Sequence, residues 1–150
     1  MLIIINTIMV RINIINPKRL TDQHLIAEYN EILMLIAYIK KYPLKEGEIP
    51  EEYCLGRGHM KFFKNKVGYL KGRHETISKE MRNRGFKTNK KVVTKGISKK
   101  AMNKWKPTIK DKEIIIKRIT EKIMKKPEWY KYYGKKRDLK NFLKELTNND

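Results

Sequence analysis

Glu28 and Glu31 lie one helical turn apart, and two carboxylates at this spacing on one helix face can exchange protons with a substrate. The commoner explanation of the spacing is two solvated charges on a helix surface. His24, His59 and His74 are scattered along the chain, and each taken alone fits a helix-surface or capping position better than a catalytic one. The sequence has no Ser/His/Asp arrangement and no phosphate-binding glycine loop. It also lacks a paired metal-ligand spacing, so we expect no metal site.

Aromatic side chains are concentrated near the end of the chain. Residues 125–136 place Trp129, Tyr130, Tyr132 and Tyr133 among five lysines. Aromatic rings among cations suit a nucleic acid, because the rings stack on bases or sugars while the amines contact phosphates. The alternative is that the rings are core anchors. Four aromatics in five positions cannot all point inward from one helix, so the pattern favours nucleic-acid contact.

The charge balance indicates a polyanionic partner. The chain of 150 residues has 36 Lys and Arg against 16 Asp and Glu, a formal net charge of +20. The excess is concentrated from residue 86 onward, with 21 basic and 7 acidic residues. Nucleic acid is the first candidate partner and an anionic membrane surface the second, while a surface made basic for solubility is the third explanation.

The cysteine content and the apolar start bear on location. A single cysteine, Cys54, excludes an intramolecular disulfide and fits a reducing compartment. The stretch from Met1 to Ile15 has no basic residue before its apolar run, and it is too short to span a bilayer. We therefore expect an intracellular protein, in a prokaryote or a virus-infected host, without a targeting signal.

Three segments with helical periodicity position these residues. They run from the N-cap Thr21 to about Lys41 before Pro43, from about His59 to Arg84 before Gly85, and between Pro107 and Pro127. A short amphipathic stretch, Leu139–Leu146, predicts a last helix, and the isoleucine-rich start offers at most one strand. The sequence therefore predicts an all-α fold with three main helices, long connecting loops and one compact domain.

Four stretches carry a resemblance to a known family. They are MVRINII from Met9, TDQHLIAEYNE from Thr21, GRGHMKFF from Gly56 with a later RGF, and KRITEKIMKKPEWYKYYG from Lys117. In this order and spacing, they resemble the pyrimidine-dimer DNA glycosylases first known from phage. The resemblance implies a domain over residues 9–136, between an N-terminal extension of residues 1–8 and a basic C-terminal tail of residues 137–150.

The resemblance also implies an activity without a cofactor. Such enzymes remove a base from a UV-induced cyclobutane dimer and then cleave the backbone as abasic-site lyases. The nucleophile is the α-amine exposed after methionine removal, a position that falls on Val10, and the essential carboxylate falls on Glu31. An α-amine has a pKa of about 7.7–8.0 against about 10.4 for lysine, so far more of it is neutral near pH 7. A free Val10 amine requires that residues 1–8 be absent from the mature enzyme.

The resemblance also implies which residues contact DNA. Asn30 stands where the family commonly has a DNA-binding arginine, and Met34 stands where the phage type has another. The lysine-rich loop of residues 87–106 is a candidate to compensate. Tyr29 is expected to pack beside the catalytic helix. The implied DNA contacts are Arg11, Gln23, His24, Asn30, Arg118, Lys122, Trp129, Tyr130, Lys131 and Tyr132.

The expected partner is double-stranded DNA with lesions or abasic sites. We expect the protein to be a monomer and to have no membrane partner. Two alternatives remain open. One is a glycosylase of the same fold directed at other lesions, such as oxidised purines. The other is a non-catalytic basic DNA-binding protein, which would account for the charge and the aromatics without an active site.

Overall fold

The computed structural model describes residues 10–147, which form five α-helices and one small antiparallel sheet. The expectation of an all-α fold with three main helices is therefore inexact. The three long helices exist, but shorter helices and two strands accompany them. The elements are α1 (Asp22–Lys41), α2 (His59–Phe62), α3 (Val67–Asn83), α4 (Ile109–Lys125), β1 (Lys131–Tyr132), β2 (Lys135–Lys136) and α5 (Leu139–Thr147).

Helix α1 begins where the sequence predicts. The Thr21 hydroxyl accepts a hydrogen bond from the backbone N–H of His24 at 3.1 Å, which caps the first turn. The expected apolar stripe faces the core, since Leu25, Tyr29 and Ile32 are buried. The helix ends at Lys41, two residues before Pro43. Local signals therefore define the helix that carries both glutamates.

The predicted helix from His59 to Arg84 is instead two helices with a break at Lys66. Lys66 leaves the helical conformation, with φ −126° and ψ 37°, and forms an antiparallel bridge with Met102. The backbone of residues 102–103 passes so close to α3 that a Cβ at Gly68 would lie 2.7 Å from the Met102 carbonyl oxygen. This contact between distant parts of the chain explains both the break and the glycine.

Helix α4 packs on the core and contacts α5. Ile115, Ile119 and Ile123 are buried at four-residue spacing, as the sequence predicts. The expected last helix is also present, and it buries Phe142 and Leu146 against the core.

No helix within residues 10–147 has the length and apolarity needed to cross a membrane.

The WYKYYG run is a hairpin docked on the start of α1. Tyr133 and Gly134 both have positive φ, 52° and 74°, as a tight two-residue turn between antiparallel strands requires. The Asp22 carboxylate accepts hydrogen bonds from the backbone N–H groups of both turn residues, at 3.0 and 2.7 Å. The DQHL and YYG motifs are therefore in direct contact.

Residues 10–16, the N-terminal segment, run through the core without a strand partner among the described residues, and the backbone turns at Ile14, whose φ is 45°. Val10, Ile12, Ile14 and Ile15 are buried. Because no neighbouring strand satisfies the backbone of this segment, side chains from elsewhere in the chain do so. The position of the segment therefore depends on those side chains.

Candidate active site

A cavity of about 260 Å³ opens between the N-terminal segment, α1, α4 and the residues before β1. It brings together eight of the residues expected at the site, although they come from both ends of the chain. Those eight are Arg11, Gln23, His24, Glu31, Arg118, Lys122, Trp129 and Tyr130.

Glu31 is the acidic residue of this cavity. Its Oε1 accepts a hydrogen bond from the backbone N–H of Arg11 at 2.8 Å. Burial raises the pKa of Glu31 to about 7, and the negative charge of Glu28 adds to this effect while the Arg11 N–H opposes it. Near neutral pH the carboxyl group is therefore divided between its two protonation states, as an acid–base catalyst requires.

Glu28 has a different role from the one its spacing suggests. It has no exposed surface, and it accepts hydrogen bonds from the Arg73 guanidinium at 2.7 and 3.0 Å. Arg73 also donates to the carbonyl oxygen of Ile15. The interpretation of Glu28 as a solvated surface charge is thus wrong, and the two glutamates do not form a catalytic pair.

Three cations lie around Glu31. Arg11, Arg118 and Lys122 all line the cavity, and they are close enough to affect one another. The charge of Arg118 is the main cause that lowers the pKa of Lys122, while burial and then Arg118 lower the pKa of Arg11. Repelling cations held together in this way form a region of positive potential suited to phosphate groups.

Gln23 connects α1 to the hairpin. Its side-chain amide donates to the Trp129 carbonyl oxygen at 2.7 Å and accepts from the Lys131 N–H at 2.9 Å. Both hydrogen-bonding ends of the amide are thus used to fix the chain on either side of Tyr130. The expected DNA contact at Gln23 therefore coincides with a residue that positions the wall of the cavity.

His24 and Tyr130 form the aromatic part of that wall. Their rings stack 4.9 Å apart and are parallel within 1°. Burial and the charge of Lys122 lower the pKa of His24 to about 4, so the ring is neutral near pH 7. Trp129 is 57% exposed at the mouth of the cavity, and this places a large ring within reach of a ligand.

The other expected contacts do not line the cavity. The Tyr132 hydroxyl donates to the Lys18 carbonyl oxygen at 2.8 Å, and the Arg84 guanidinium lies over its ring at 4.7 Å. Asn30 is exposed and donates to the Ile26 carbonyl oxygen, and Lys131 is also exposed. Tyr132 therefore anchors the hairpin on the core, whereas the Trp129 side chain is accessible to a ligand.

Val10 is buried one residue before Arg11 and does not line the cavity. Sequence reasoning did not select Asn13 and Ala27, which do line it. The signal for Asn13 was its place as a polar residue within the apolar run around it. The signal for Ala27 was a small residue one turn before Glu31, where a larger side chain would fill the cavity.

Comparison with known families gives one finding. A family model described as pyrimidine dimer DNA glycosylase matches residues 9–94, more than half of the chain. The match includes the N-terminal segment, α1 and α3, whereas α4 and the hairpin lie beyond it. The chain belongs to this family of DNA-repair enzymes, which act on damaged DNA.

Proposed function

We propose that this DNA glycosylase excises UV-induced cyclobutane pyrimidine dimers and then cleaves the backbone at the resulting abasic site. In this proposal, the α-amine of Val10 is the nucleophile and Glu31 is the acid–base carboxylate. One observation carries it: the 2.8 Å hydrogen bond from the Arg11 N–H to Glu31. Arg11 follows Val10 directly. The Val10 nitrogen is therefore one residue away from the backbone nitrogen that contacts the Glu31 carboxylate.

The proposal requires a free nitrogen at Val10. In the full sequence that nitrogen is in a peptide bond with Met9, and an amide nitrogen has no lone pair for attack. We therefore propose that the working enzyme starts at Met9, loses that methionine, and lacks residues 1–8. The intact mass of the protein from its native source tests this point, and a mature enzyme that retains residues 1–8 would contradict it.

The proposed first step is displacement at C1′ of a damaged nucleotide. The neutral amine donates its lone pair to C1′, and the bond from C1′ to the base breaks with its electron pair on the base nitrogen, which takes up a proton. The attached nitrogen then loses a proton, the C1′–O4′ bond opens with protonation of O4′, and an iminium forms. Nearby cations support this step, because like charges lower the pKa of an amine and increase its neutral fraction.

Glu31 then completes the reaction. Its ionised form stabilises positive charge at C1′ and removes a proton from C2′, and the released electron pair forms an enamine. The enamine expels the 3′ phosphate from C3′ with its bonding electrons, which is the β-elimination of a lyase. Water then hydrolyses the remaining iminium and frees the amine. A carboxyl group with a pKa near 7 suits both proton uptake and release.

Arg11, Arg118 and Lys122 provide the proposed grip on phosphates beside the lesion. The cavity accommodates part of an extruded nucleotide, with Trp129 and the stacked Tyr130 as its aromatic side. A dimer pairs poorly, so opening the duplex costs less at damage than in intact DNA. Discrimination in this proposal therefore comes partly from the DNA itself.

The lysine-rich loop supplies a second proposed contact. The Tyr29 hydroxyl accepts from the Lys90 N–H at 2.8 Å and donates to the Lys90 carbonyl oxygen at 3.1 Å, which fixes the loop beside α1. Asn30, the next residue on the helix, is exposed and uncharged. We propose that Lys90 and Lys91 provide the phosphate contacts that an arginine at position 30 would otherwise make.

Borohydride trapping on abasic DNA tests the proposed chemistry. Protein starting at Val10 should give a covalent complex with the DNA after reduction, because reduction fixes the imine. Protein that retains residues 1–9 should bind the same DNA and give none, because its Val10 nitrogen is an amide and its α-amine lies nine residues away. A trapped complex of equal yield from both proteins would exclude the Val10 amine as the nucleophile.

Lesion preference needs a separate experiment, because Asn30 and Met34 differ from the residues that the resemblance leads us to expect. One duplex should carry a cis-syn thymine dimer and its matched duplex an oxidised purine. The proposal expects faster excision from the dimer. Faster excision from the oxidised purine would instead identify a glycosylase of the same fold with another substrate.

A further inference from the structure

Three side chains hold the backbone of the N-terminal segment at Arg11 and Ile12. Glu31 accepts from the Arg11 N–H at 2.8 Å, His59 Nε2 accepts from the Ile12 N–H at 2.9 Å, and the Tyr53 hydroxyl donates to the Ile12 carbonyl oxygen at 3.1 Å. In a sheet, a neighbouring strand would make these bonds. Because the segment is buried, each unmet backbone group would carry a desolvation cost.

His59 is well suited to its position. The ring is 2% exposed, and its Nδ1 lies 2.9 Å from the carbonyl oxygen of Cys54. A carbonyl oxygen only accepts, so Nδ1 carries the proton and Nε2 keeps a lone pair for the Ile12 N–H. Burial is the main cause that lowers the pKa of His59 to about 4, with a smaller contribution from the Arg11 charge, so the ring is neutral near pH 7. The rings of Tyr53 and Phe63 pack edge-on against it at 5.4 and 5.3 Å, which fixes its plane.

We propose that His59 is a positioning residue for the nucleophile: it holds the Ile12 N–H, and through Ile12 it sets where the Val10 amine lies relative to Glu31. This inference rests on the proposed function. Val10 is two residues from Ile12 in a buried segment, so the amine moves with the Ile12 backbone. A displacement of about 1 Å in a reacting group can slow a reaction about 100-fold.

Substitutions at His59 separate positioning from packing. In His59→Phe, a ring of similar size remains but the acceptor for the Ile12 N–H is lost. In His59→Gln, the amide oxygen can accept from Ile12 while the amide N–H₂ donates to Cys54. His74→Phe is the matched control, since His74 is also 2% exposed but bonds the Tyr29 carbonyl oxygen instead of the N-terminal segment.

The experiment uses protein starting at Val10 and measures two quantities on abasic duplex. One is the single-turnover rate of borohydride trapping with the DNA fully bound, and the other is the Kd without borohydride. For His59→Phe we expect trapping to be about 100-fold slower, with the Kd changed less than about 3-fold. His59→Gln should recover to within about 10-fold of the parent, and His74→Phe should match it within about 3-fold.

The outcomes separate this inference from the proposed function. If the parent binds abasic DNA but traps no imine, the proposed function fails, and the inference fails with it. If the parent traps but His59→Phe traps equally fast, or if His59→Phe and His74→Phe are slowed equally, only the positioning role is overturned. If His59→Phe does not fold, Tyr53→Phe replaces it, since it removes only the hydroxyl that contacts Ile12. About 10-fold slower trapping by Tyr53→Phe supports the inference, and an unchanged rate overturns it.

Discussion

Glu28 and Glu31 are the same residue type one turn apart on α1, yet their surroundings differ in kind. Glu28 is fully buried and accepts two hydrogen bonds from the guanidinium of Arg73. Glu31 is half-buried and accepts one hydrogen bond, from the Arg11 N–H. A buried carboxylate that accepts two hydrogen bonds from a guanidinium is held in place. One that is desolvated but incompletely bonded has a raised pKa and is available for proton transfer.

The two carboxylates nevertheless serve the same segment. Through Arg73, Glu28 fixes the Ile15 end of residues 10–16, while Glu31 contacts the Arg11 end. One side chain therefore contributes to the position of the proposed nucleophile and the other to the chemistry beside it. We therefore expect substitution of Glu31 to lower activity more than stability, and substitution of Glu28 to lower stability more than activity.

The largest expected effect is on catalysis by Glu31→Gln. The amide keeps the size of the side chain and an acceptor for the Arg11 N–H, but it cannot exchange protons. We expect single-turnover excision from a thymine-dimer duplex to fall by about 1,000-fold or more, while the Kd for the same duplex changes less than about 3-fold. Excision at the parent rate would refute the role of Glu31.

The next effect is on stability, at the other glutamate. Glu28→Gln leaves the buried guanidinium of Arg73 without its counter-charge. We expect the free energy of unfolding in urea to fall by about 3–5 kcal/mol. The double variant Glu28→Gln with Arg73→Met is the control, because it removes both charges and should recover part of the loss. An unchanged urea midpoint for the single variant would mean that the ion pair is not needed for stability.

The pH dependence of stability gives a smaller effect of predictable sign. The pKa of Glu31 is about 7 in the folded protein, above its ordinary value near 4.5. The folded state thus holds this proton more tightly, and the carboxylate destabilises the fold above about pH 7 but not below about pH 4.5. Relative to the parent, Glu31→Gln should raise the Tm at pH 8 and leave it nearly unchanged at pH 4. A lower Tm for the variant at pH 8 would contradict the burial of a poorly bonded carboxylate.

The cations around Glu31 should appear in the salt dependence of binding. Alanine at Arg118 or Lys122 should each reduce the slope of log affinity against log salt by about 1, because each removes one phosphate contact. Lys110→Ala is the control on the same helix, since Lys110 is exposed and pairs with Glu52 at 3.8 Å. Equal slopes for all three variants would place the DNA elsewhere.

The lysine-rich loop should have the smallest effect. Lys90 and Lys91 are exposed, so each phosphate contact competes with solvation of a flexible side chain. We expect the double alanine variant to reduce the salt slope by about 1 in total, less than two cations of the cavity together. No change in slope or affinity would indicate that the loop does not compensate for Asn30.

Local signals predicted the long helices, and contacts between distant residues caused the departures. Thr21 and Gly85 act through their own turns: Thr21 caps α1, and Gly85 has the positive φ of 87° that follows a helix. The break at Lys66 depends on a backbone 36 residues away, at Met102, which no pattern around residue 66 could reveal. The hairpin did carry a local signal, because Tyr133 and Gly134 form its turn, but an aromatic residue at positive φ is uncommon.

The same distinction applies to the site. The family resemblance predicted that Glu31 is important, and its half-buried place in the cavity agrees with that prediction without testing it. The sequence favours a solvated surface for Glu28 and a helix-surface or capping position for His59, although both residues are buried. Their partners, Arg73 and the Ile12 backbone, lie 45 and 47 residues away. Polar residues at such positions can be recognised as buried only once the chain path is known.

The docking of the hairpin on α1 has a consequence for synthesis of the protein. A ribosome releases the N-terminal segment and Glu31 well before Trp129 and Tyr130. Until Gln23 can bind the Trp129 backbone and Asp22 the Tyr133 backbone, one wall of the cavity does not exist. A nascent or truncated chain that lacks the hairpin can therefore hold the proposed nucleophile and carboxylate without a complete site.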